Sequence, residues 1–423
     1  MRGDVVVVDD EVDTLKLLKV LLESDGYRVR ALTSGSAALR SIATDTPDLV
    51  LLDIRMPGMS GFEVCEELKA DPASRSVPVI FLSAATDVED KIKAFRAGGV
   101  DYVTKPFERE EVLSRVATHV SLFRARAEIN RMTEALHDSE QSLRLAQCGG
   151  PLCSREPVGD DDAAFADLRV KAAHLAGELD SAARYVGSTL PGGLVGPVQV
   201  RSSCVPSREI GGDSYYYQWI DDDHLIVYLI DVSGHGVESA MVSMTVHNVL
   251  RSGTIEREIL LDPAAMLASL NRLFPMEQHD GNYFTAWYGV YRASDRTLSY
   301  SSAGHPPAMA FVRHGTAVRM TDLATDTVPV GVFPDTTFQT KSFAVPTTTD
   351  ILIYSDGAFE LMLNDGRRGS MAGFTDLCVK HFETARRPDE GPWSLESLVA
   401  ELRAGSLTGR FDDDCTLVAL HIP

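Results

Sequence analysis

The stretch LVLLDIRMPGMSG, from Leu49 to Gly61, decides how the first part of this chain folds. Leu49, Val50, Leu51 and Leu52 run without interruption into Asp53, and Pro57, Gly58 and Gly61 then break the backbone. A strand that is apolar throughout, rather than alternating, belongs in a parallel sheet buried on both faces. Working outward, VVVV (Val5–Val8) and VPVIFLS (Val77–Ser83) read the same way, with YRVRAL (Tyr27–Leu32) and VDYVT (Val100–Thr104) as weaker strands. Helical patterns lie between them, such as Leu15, Leu18 and Leu22 with Gly26 as the C-cap. Five β-α units predict a doubly wound, five-stranded parallel sheet.

In such a sheet, function collects at the carboxyl ends of the strands. Those ends carry Asp9 and Asp10, then Asp53, Ser83 and Lys105. Any one of these acids alone reads as a helix cap or turn residue. Together they describe a magnesium site around a phosphorylatable carboxylate, because magnesium takes few protein carboxylates and keeps phosphate oxygens and waters as its other ligands. The lysine would neutralise the incoming phosphoryl group and the hydroxyl would bond to it.

This segment, about residues 1–120, resembles the receiver domain of bacterial two-component response regulators. The matching text is VVDDE at Val7–Glu11, LLDIRMPGMSG at Leu51–Gly61, LSA at Leu82–Ala84 and DYVTKPF at Asp101–Phe107. The resemblance implies Asp53 as phosphoacceptor and Mg2+ held by Asp9, Asp10, Asp53 and the Arg55 carbonyl. It also implies Ser83 as switch hydroxyl, Tyr102 as switch aromatic, Lys105 as phosphate partner, and a cognate sensor histidine kinase.

From Glu108 to about Gln147 the chain has no Pro or Gly, and Val112, Val116, Val120, Phe123, Ala127, Met132 and Leu136 keep helical spacing. A long helix with a coiled-coil-like seam, and through it a homodimer, is the expectation; the plainer reading is a last receiver helix packed on its own domain. CGGPLCSREPVGDDD (Cys148–Asp162) then reads as a linker, which makes residues 121–162 a connector. A lead-in helix from about Ala163 to Val186 precedes Leu190–Pro191 and opens a second domain, residues 163–423.

After Pro197 the pattern changes to many short strands joined by turns. VQVRSSCV, YYYQWI, HLIVYLID, FTAWYGVY, TLSYSSA, AMAFV, TFQTKSFAV, DILIYSD and CTLVALHI are the strand candidates, with helices at Glu238–Ser252, Asp262–Phe274, Met371–Glu383 and Leu395–Arg403. This is an α+β pattern of two packed antiparallel sheets flanked by helices. Acids sit beside apolar runs in distant parts of the chain: Asp213 after IGG, Asp231 before VSGHG, Asp356 in YSDG, and Asp413 and Asp414 before CTLVAL. Clustered carboxylates repel unless divalent cations relieve them, and an all-oxygen set suits magnesium or manganese rather than zinc. The triplet Asp221–Asp223, by contrast, lies between two strands and reads as a hairpin turn.

Residues 165–423 are similar to the metal-dependent Ser/Thr protein phosphatases (protein phosphatase 2C-like, PPM), in their SpoIIE-like bacterial branch. IGGDSYY (Ile210–Tyr216), DVSGHG (Asp231–Gly236), SAGHPP (Ser302–Pro307), YSDG (Tyr354–Gly357), DDCT (Asp413–Thr416) and the lead-in AARYVGSTLP (Ala182–Pro191) carry the likeness. It implies two Mn2+ or Mg2+ ions, with Asp231 bridging them, the Val232 carbonyl contributing, and Asp213, Asp356 and Asp413 completing the set, Asp413 being preferred to Asp414. It implies hydrolysis of phosphoserine or phosphothreonine by water with no covalent intermediate, on a substrate of the anti-sigma-factor-antagonist type. Tyr216 stands where relatives often have an acid. His235 and His305 are tempting general acids with structural roles at least as natural, and Arg208 reads as a surface cation rather than a phosphate ligand.

The combined reading is a response regulator with protein phosphatase output gated at Asp53. The competing class is a non-enzymatic adaptor that binds a sigma factor or its regulator through a phosphatase-like domain, and such a protein should have lost metal carboxylates. A DNA-binding output is disfavoured by a net charge of −21 and by the lack of a basic helix-turn-helix. A cyclic-dinucleotide synthase is disfavoured because the GGD triplet lacks its usual extension. Six scattered cysteines, and no apolar run of about 18 residues, point to a cytoplasmic protein without a membrane span.

Overall fold

The computed structural model of the 423-residue chain describes residues 2–127 and 177–423, apart from 85–89, 91–92, 96, 178, 181, 235, 252–254, 279–280, 315–316 and 385–393. The linker Cys148–Asp162, Met132 and Leu136 of the expected seam, most of the lead-in helix and His235 lie outside the described residues.

The N-terminal unit is a parallel sheet of β1 (Gly3–Val8), β2 (Tyr27–Leu32), β3 (Leu49–Asp53), β4 (Val79–Ala84) and β5 (Asp101–Lys105) in the order β2-β1-β3-β4-β5. The uninterrupted apolar runs are buried as their composition requires: Val5 to Val8 and Leu49 to Leu52 are all inaccessible to solvent. Helices α1 (Val12–Ser24), α2 (Gly35–Thr44) and α3 (Gly61–Ala70) fill the crossovers. Ser60 starts α3 with a capping box, its hydroxyl accepting from the Glu63 amide while Glu63 reaches back. The strand order reverses between β1 and β3, so their carboxyl ends open a crevice at the switch point.

A further helix spans 109–127. Its Val112, Val116 and Val120 pack into the same core as Leu15, Val29, Leu51 and Leu82. The first half of the expected seam is therefore the inner face of a receiver helix, because burying those valines against the sheet satisfies their apolar surface within the domain. A coiled coil has no support among the described residues.

The C-terminal unit contains two antiparallel five-stranded sheets. One has the order β13-β10-β9-β8-β7, from β7 (Ser214–Trp219), β8 (His224–Val232), β9 (Phe284–Arg292), β10 (Thr297–Ala303) and β13 (Lys341–Ala344). The other has the order β12-β11-β14-β15-β6, from β6 (Gln199–Val205), β11 (Ala308–His314), β12 (Ala317–Leu323), β14 (Thr349–Tyr354) and β15 (Cys415–Ile422). Alternate residues face inward: Leu225, Val227, Leu229, Ile351, Ile353, Val418 and Leu420 share the core between the sheets. The other parity faces helices. Leu352, Tyr354 and Leu417 meet Phe374, Cys378 and Leu398 of helices Met371–Thr384 and Leu395–Gly405. Tyr228 meets His247 of helix Val237–Arg251 at a ring separation of 6.4 Å. Two packed sheets covered by helices is the architecture the sequence predicts.

Two details differ. AVRMTDL, which carries Arg319 and Asp322 and alternates weakly, forms β12 by pairing with β11. TFQTKSFAV contributes only its last part, as β13. The Asp221–Asp223 triplet is the expected turn, with the Asp221 carboxylate accepting from the amides of Asp223 (2.8 Å) and His224 (2.7 Å).

Trp287 sits at the centre of this unit, fully buried, stacked on Tyr300 with 5.9 Å between ring centres, its indole N–H donating to the Leu323 carbonyl at 3.1 Å. Trp287→Ala is expected to lower the unfolding free energy of this domain by about 3–5 kcal/mol, read by chemical denaturation. A loss below about 1 kcal/mol would show that the two sheets do not depend on this contact.

Candidate functional site

Two acidic sites occur, one in each unit. In the first, Asp9 is completely buried at the end of β1, Asp53 nearly so at the end of β3, and Asp10 is exposed beside them. One oxygen from each lies within 4.8 Å of the others, and among the described residues no other trio of His, Cys, Asp or Glu side chains comes so close. Lys105 reaches over from β5 and donates to Asp9 at 2.7 Å and Asp53 at 2.6 Å. The other Asp53 oxygen accepts from the Arg55 amide at 3.0 Å, and Asp9 accepts from the Glu11 amide at 2.9 Å. Burial raises the Asp53 pKa while Lys105 pulls it back down. Gly61 is needed for space, since a Cβ there would lie 2.2 Å from the Asp53 carbonyl oxygen.

Ser83 is buried at the carboxyl end of β4, and Tyr102 is buried on β5. The Arg115 guanidinium lies 5.8 Å over the Tyr102 ring and binds Asp101 at 2.6 Å, and His119 binds the same carboxylate at 3.3 Å. Asp101 also accepts from the Tyr102 amide at 2.8 Å. The position of Tyr102 is thus tied to helix 109–127, a connection that the spacing of Asp101, Arg115 and His119 in sequence does not reveal.

In the C-terminal unit the acids come from four separate segments. Asp213 and Asp414 are buried, whereas Asp231, Asp356 and Asp413 are partly exposed, so the group opens on solvent. Their charges act on one another. Asp213 is pushed well above the usual carboxylate range by burial, then by Asp231 and Asp414. Asp231 is pushed likewise by burial, then by Asp356, Asp413 and Asp414. Asp356 is raised to about 6 by burial and by Asp413 and Glu360. Neither Asp213 oxygen has a hydrogen-bond partner of good geometry, although the Thr416 and Ser355 hydroxyls are near enough to ease its charge. Buried carboxylate oxygens left in this state are matched by a cation, and oxygen donors alone suit magnesium or manganese. The residues present therefore fit a divalent metal centre.

Asp413 and Asp414 have separate tasks. Both Asp414 oxygens are taken: one accepts from the Ser207 amide (2.8 Å) and hydroxyl (3.0 Å), the other from the Gly212 amide (2.6 Å). Asp414 thereby clamps the loop that carries Asp213, while the charge of the partly exposed Asp413 acts on Asp231 and Asp356. Ser355 joins the remaining pair, donating to the Asp414 carbonyl (3.0 Å) and accepting from the Thr416 amide (2.9 Å). The scaffold roles of Asp414, Ser355 and Ser207 escape sequence reasoning; the hydroxyls in YSDG and DDCT are the only signal of them.

Glycines make the approach possible. A Cβ on Gly211 would lie 2.5 Å from Asp414, one on Gly212 would lie 3.1 Å from the Val232 carbonyl oxygen, and one on Gly357 would lie 2.2 Å from the Asp414 carbonyl oxygen. His305 is buried and its pKa is lowered to about 4 by burial, so it is neutral near pH 7 and has no proton to supply as a general acid. Tyr216 turns to the outer face, where Arg251 lies 4.7 Å over its ring. Arg208 is exposed.

A doubly wound unit with an acid crevice under a lysine, and a helix-flanked double sheet with acids drawn from four segments, have the architecture of a receiver domain followed by a PP2C-like domain. Residues 5–117 match the response regulator receiver domain family, and residues 221–423 match the family described as Stage II sporulation protein E (SpoIIE). The chain carries a response regulator receiver domain followed by a SpoIIE-type, PP2C-like domain. It is similar to the DNA-binding response regulator MtrA of Mycolicibacterium smegmatis, at 40% identity over 116 residues, which is 27% of this chain and 50% of that protein. It is also similar to the response regulator PleD of Caulobacter vibrioides, at 39% over 116 residues, 27% of this chain and 26% of that protein. The chain thus spans half or less of the length of these curated relatives. The SiaA-PP2C domain of Pseudomonas aeruginosa has the same fold as the C-terminal unit, with a TM-score of 0.50 and 19% identity over 60% of this chain and 99% of that one. No helix among the described residues is long and apolar enough to cross a membrane.

Raised carboxylate pKa values have a definite sign. An acid that holds its proton more tightly when folded favours the folded state at low pH, and that contribution is lost as pH rises from the unfolded value of about 4 through the folded one. For Asp356 the window closes at about 6. The increase in Tm on adding Mn2+ is therefore expected to grow as pH rises through about 6, when the repelling carboxylates become ionised. Calorimetry across that range with chelator and with Mn2+ checks this, and a metal-independent Tm near pH 7 would contradict it.

Proposed function

We propose that this protein is a two-component response regulator whose output is metal-dependent phosphoserine and phosphothreonine phosphatase activity, gated by phosphorylation of Asp53. The observation that carries the reading is that Asp213, Asp231, Asp356, Asp413 and Asp414, from four segments, act on one another's charge, with Asp414 also hydrogen-bonded to the Ser207–Gly212 loop. Asp231, with the Val232 carbonyl, would hold two Mn2+ or Mg2+ ions together with Asp213, Asp356 and Asp413. Bound there, the ions supply charge neutralisation at the phosphoryl group and activation of water. The chain's own contribution is to keep the carboxylates apart at fixed positions, to admit the substrate where Asp231, Asp356 and Asp413 face solvent, and to bring backbone close through Gly211, Gly212 and Gly357. An adaptor would not need this electrostatically costly set, and its retention supports the enzyme.

In the receiver, Asp9, Asp10, Asp53 and the Arg55 carbonyl would hold Mg2+. A phosphoryl group on Asp53, delivered by a sensor histidine kinase, would meet Lys105 and Ser83. Drawing in Ser83 changes the space beside Tyr102, and Arg115 and Asp101 pass that change to helix 109–127. The substrate class is a phosphorylated regulator of the anti-sigma-factor-antagonist type, and the setting is the cytoplasm.

Hydrolysis of an aryl phosphate by the full chain with Mn2+ is the test. Asp231→Ala is expected to lower the rate by at least about a hundredfold, the several kcal/mol that metal-ion stabilisation supplies. Beryllofluoride is expected to change the rate of the natural chain and to leave Asp53→Asn unaffected. Absence of hydrolysis with either metal would assign the domain a binding role.

A further inference from the structure

Asp213 is 3% exposed, and neither of its oxygens has a hydrogen-bond partner of good geometry. Its place is set by the residue before it, because the Gly212 amide donates to the Asp414 carboxylate at 2.6 Å. Thr416 lies two residues beyond Asp414 and is fully buried. The strands bring about the same meeting. Val418 and Leu420 face the core between the sheets, so Thr416 on β15 ends that inward row. Tyr217 and Tyr215 on β7 face the same core, and Asp213, which directly precedes β7, continues their row. The Ser202 hydroxyl of β6 donates to the Tyr215 hydroxyl at 3.0 Å, and Cys204 is the next inward residue of β6. Asp213, Cys204 and Thr416 therefore stand together where the two sheets end.

Two hydroxyls, those of Ser355 and Thr416, are near enough to ease the charge of Asp213, and each has one hydrogen to give. Ser355 gives its own to the Asp414 carbonyl at 3.0 Å, while its oxygen accepts from the Thr416 amide at 2.9 Å. Ser355 is thus committed to the frame. Thr416 gives its hydrogen to the Cys204 sulfur at 3.3 Å, across the β15–β6 ladder in which the two residues are direct partners. Sulfur is a weak acceptor, whereas a carboxylate oxygen is a strong one. Rotation about the Thr416 Cβ–Oγ1 bond alone moves the hydrogen from one to the other, with no displacement of backbone or heavy atoms. Carboxylates that ligate metals are themselves held by hydrogen bonds, and Asp213 has no other side-chain donor among these residues with a hydrogen to spare.

We propose that Thr416 is the positioning residue for Asp213: its hydroxyl, shared between the Cys204 sulfur and Asp213, holds that carboxylate in place when it ligates a divalent cation. This role rests on the phosphatase reading and adds to it a side chain, contributed by the last strand, that sets how tightly the metal is held.

Isothermal titration of Mn2+ into the full chain tests the role, with Asp231→Ala giving the share bound by the receiver. Thr416→Val keeps the shape of the side chain and removes the hydroxyl. It is expected to weaken Mn2+ binding in the C-terminal unit by about 10–100-fold, the usual cost of losing the hydrogen-bond partner of a metal ligand. Its Tm in chelator is expected to stay close to that of the natural chain, because only a weak bond to sulfur is lost. Thr416→Ser returns the hydroxyl and is expected to return the affinity. Cys204→Ala removes the competing acceptor and is expected to bind Mn2+ at least as tightly as the natural chain, a result that decides the matter even where Thr416→Val fails to fold. Natural affinity in Thr416→Val overturns the proposal, as does equal weakening in Thr416→Val and Thr416→Ser, or weakening in Cys204→Ala. Each of these leaves the phosphatase reading standing. Binding of Mn2+ by the natural chain no greater than by Asp231→Ala overturns that reading and this one with it.

Discussion

Repulsion between carboxylates held at the ends of buried strands is the constraint on which the chemistry of both units depends. Strand ends are rigid because apolar side chains on both faces fix them, so the acids cannot move apart as surface acids do. In the receiver the chain meets the problem internally: Lys105 places one ammonium between Asp9 and Asp53. The charge of Asp10 remains in water. In the C-terminal unit the charged groups that act most strongly on Asp213 and Asp231 are other aspartates, and the cation that acts on Asp356 is the exposed Arg368. On the proposed reading, that imbalance would suit the second site to cations and the first to a phosphoryl group whose counter-charge is already present.

The frame bearing the second site is built from hydrogen bonds that consume one aspartate to position the others. Asp414 satisfies backbone and hydroxyl donors from the Ser207–Gly212 loop, and Ser355 links the YSDG and DDCT segments. Glycine at Gly211, Gly212 and Gly357 permits backbone to run within a few ångströms of carboxylate and carbonyl oxygens. On the far side, Gly234 and Gly236 adopt left-handed backbone with φ of 84° and 89°, which lets the chain turn sharply from Asp231 into helix Val237–Arg251. The acids thus stand at strand ends, outside a sandwich interior that is otherwise apolar.

Much of this was legible in the amino-acid order, for a physical reason. Apolar runs such as LVLLD and CTLVALHI announce their burial through composition, which is local, and both lie in strands buried on both faces, β3 and β15. Acids at the ends of the runs announce the sites, since each strand end is a place where a charge can stand beside a core. AVRMTDL was illegible as a strand because its pairing with β11, and not its own pattern, stabilises it. The valines of the 109–127 helix carry a spacing that suits either a seam or a core, and their burial against the receiver sheet decides for the core.

By itself the sequence determined the two fold classes, the order of the units, and the acids at their strand ends, because periodicity and strand-end chemistry act over a few residues. Only the tertiary structure decided that Asp414 ties down the loop carrying Asp213, since Ser207 and Gly212 reach it across some two hundred residues of chain. It alone decided that His305 is buried, and that Arg368 pairs with Glu360 on the turn that follows Asp356. Those outcomes depend on distances between segments remote in sequence, and on desolvation, which no local pattern encodes.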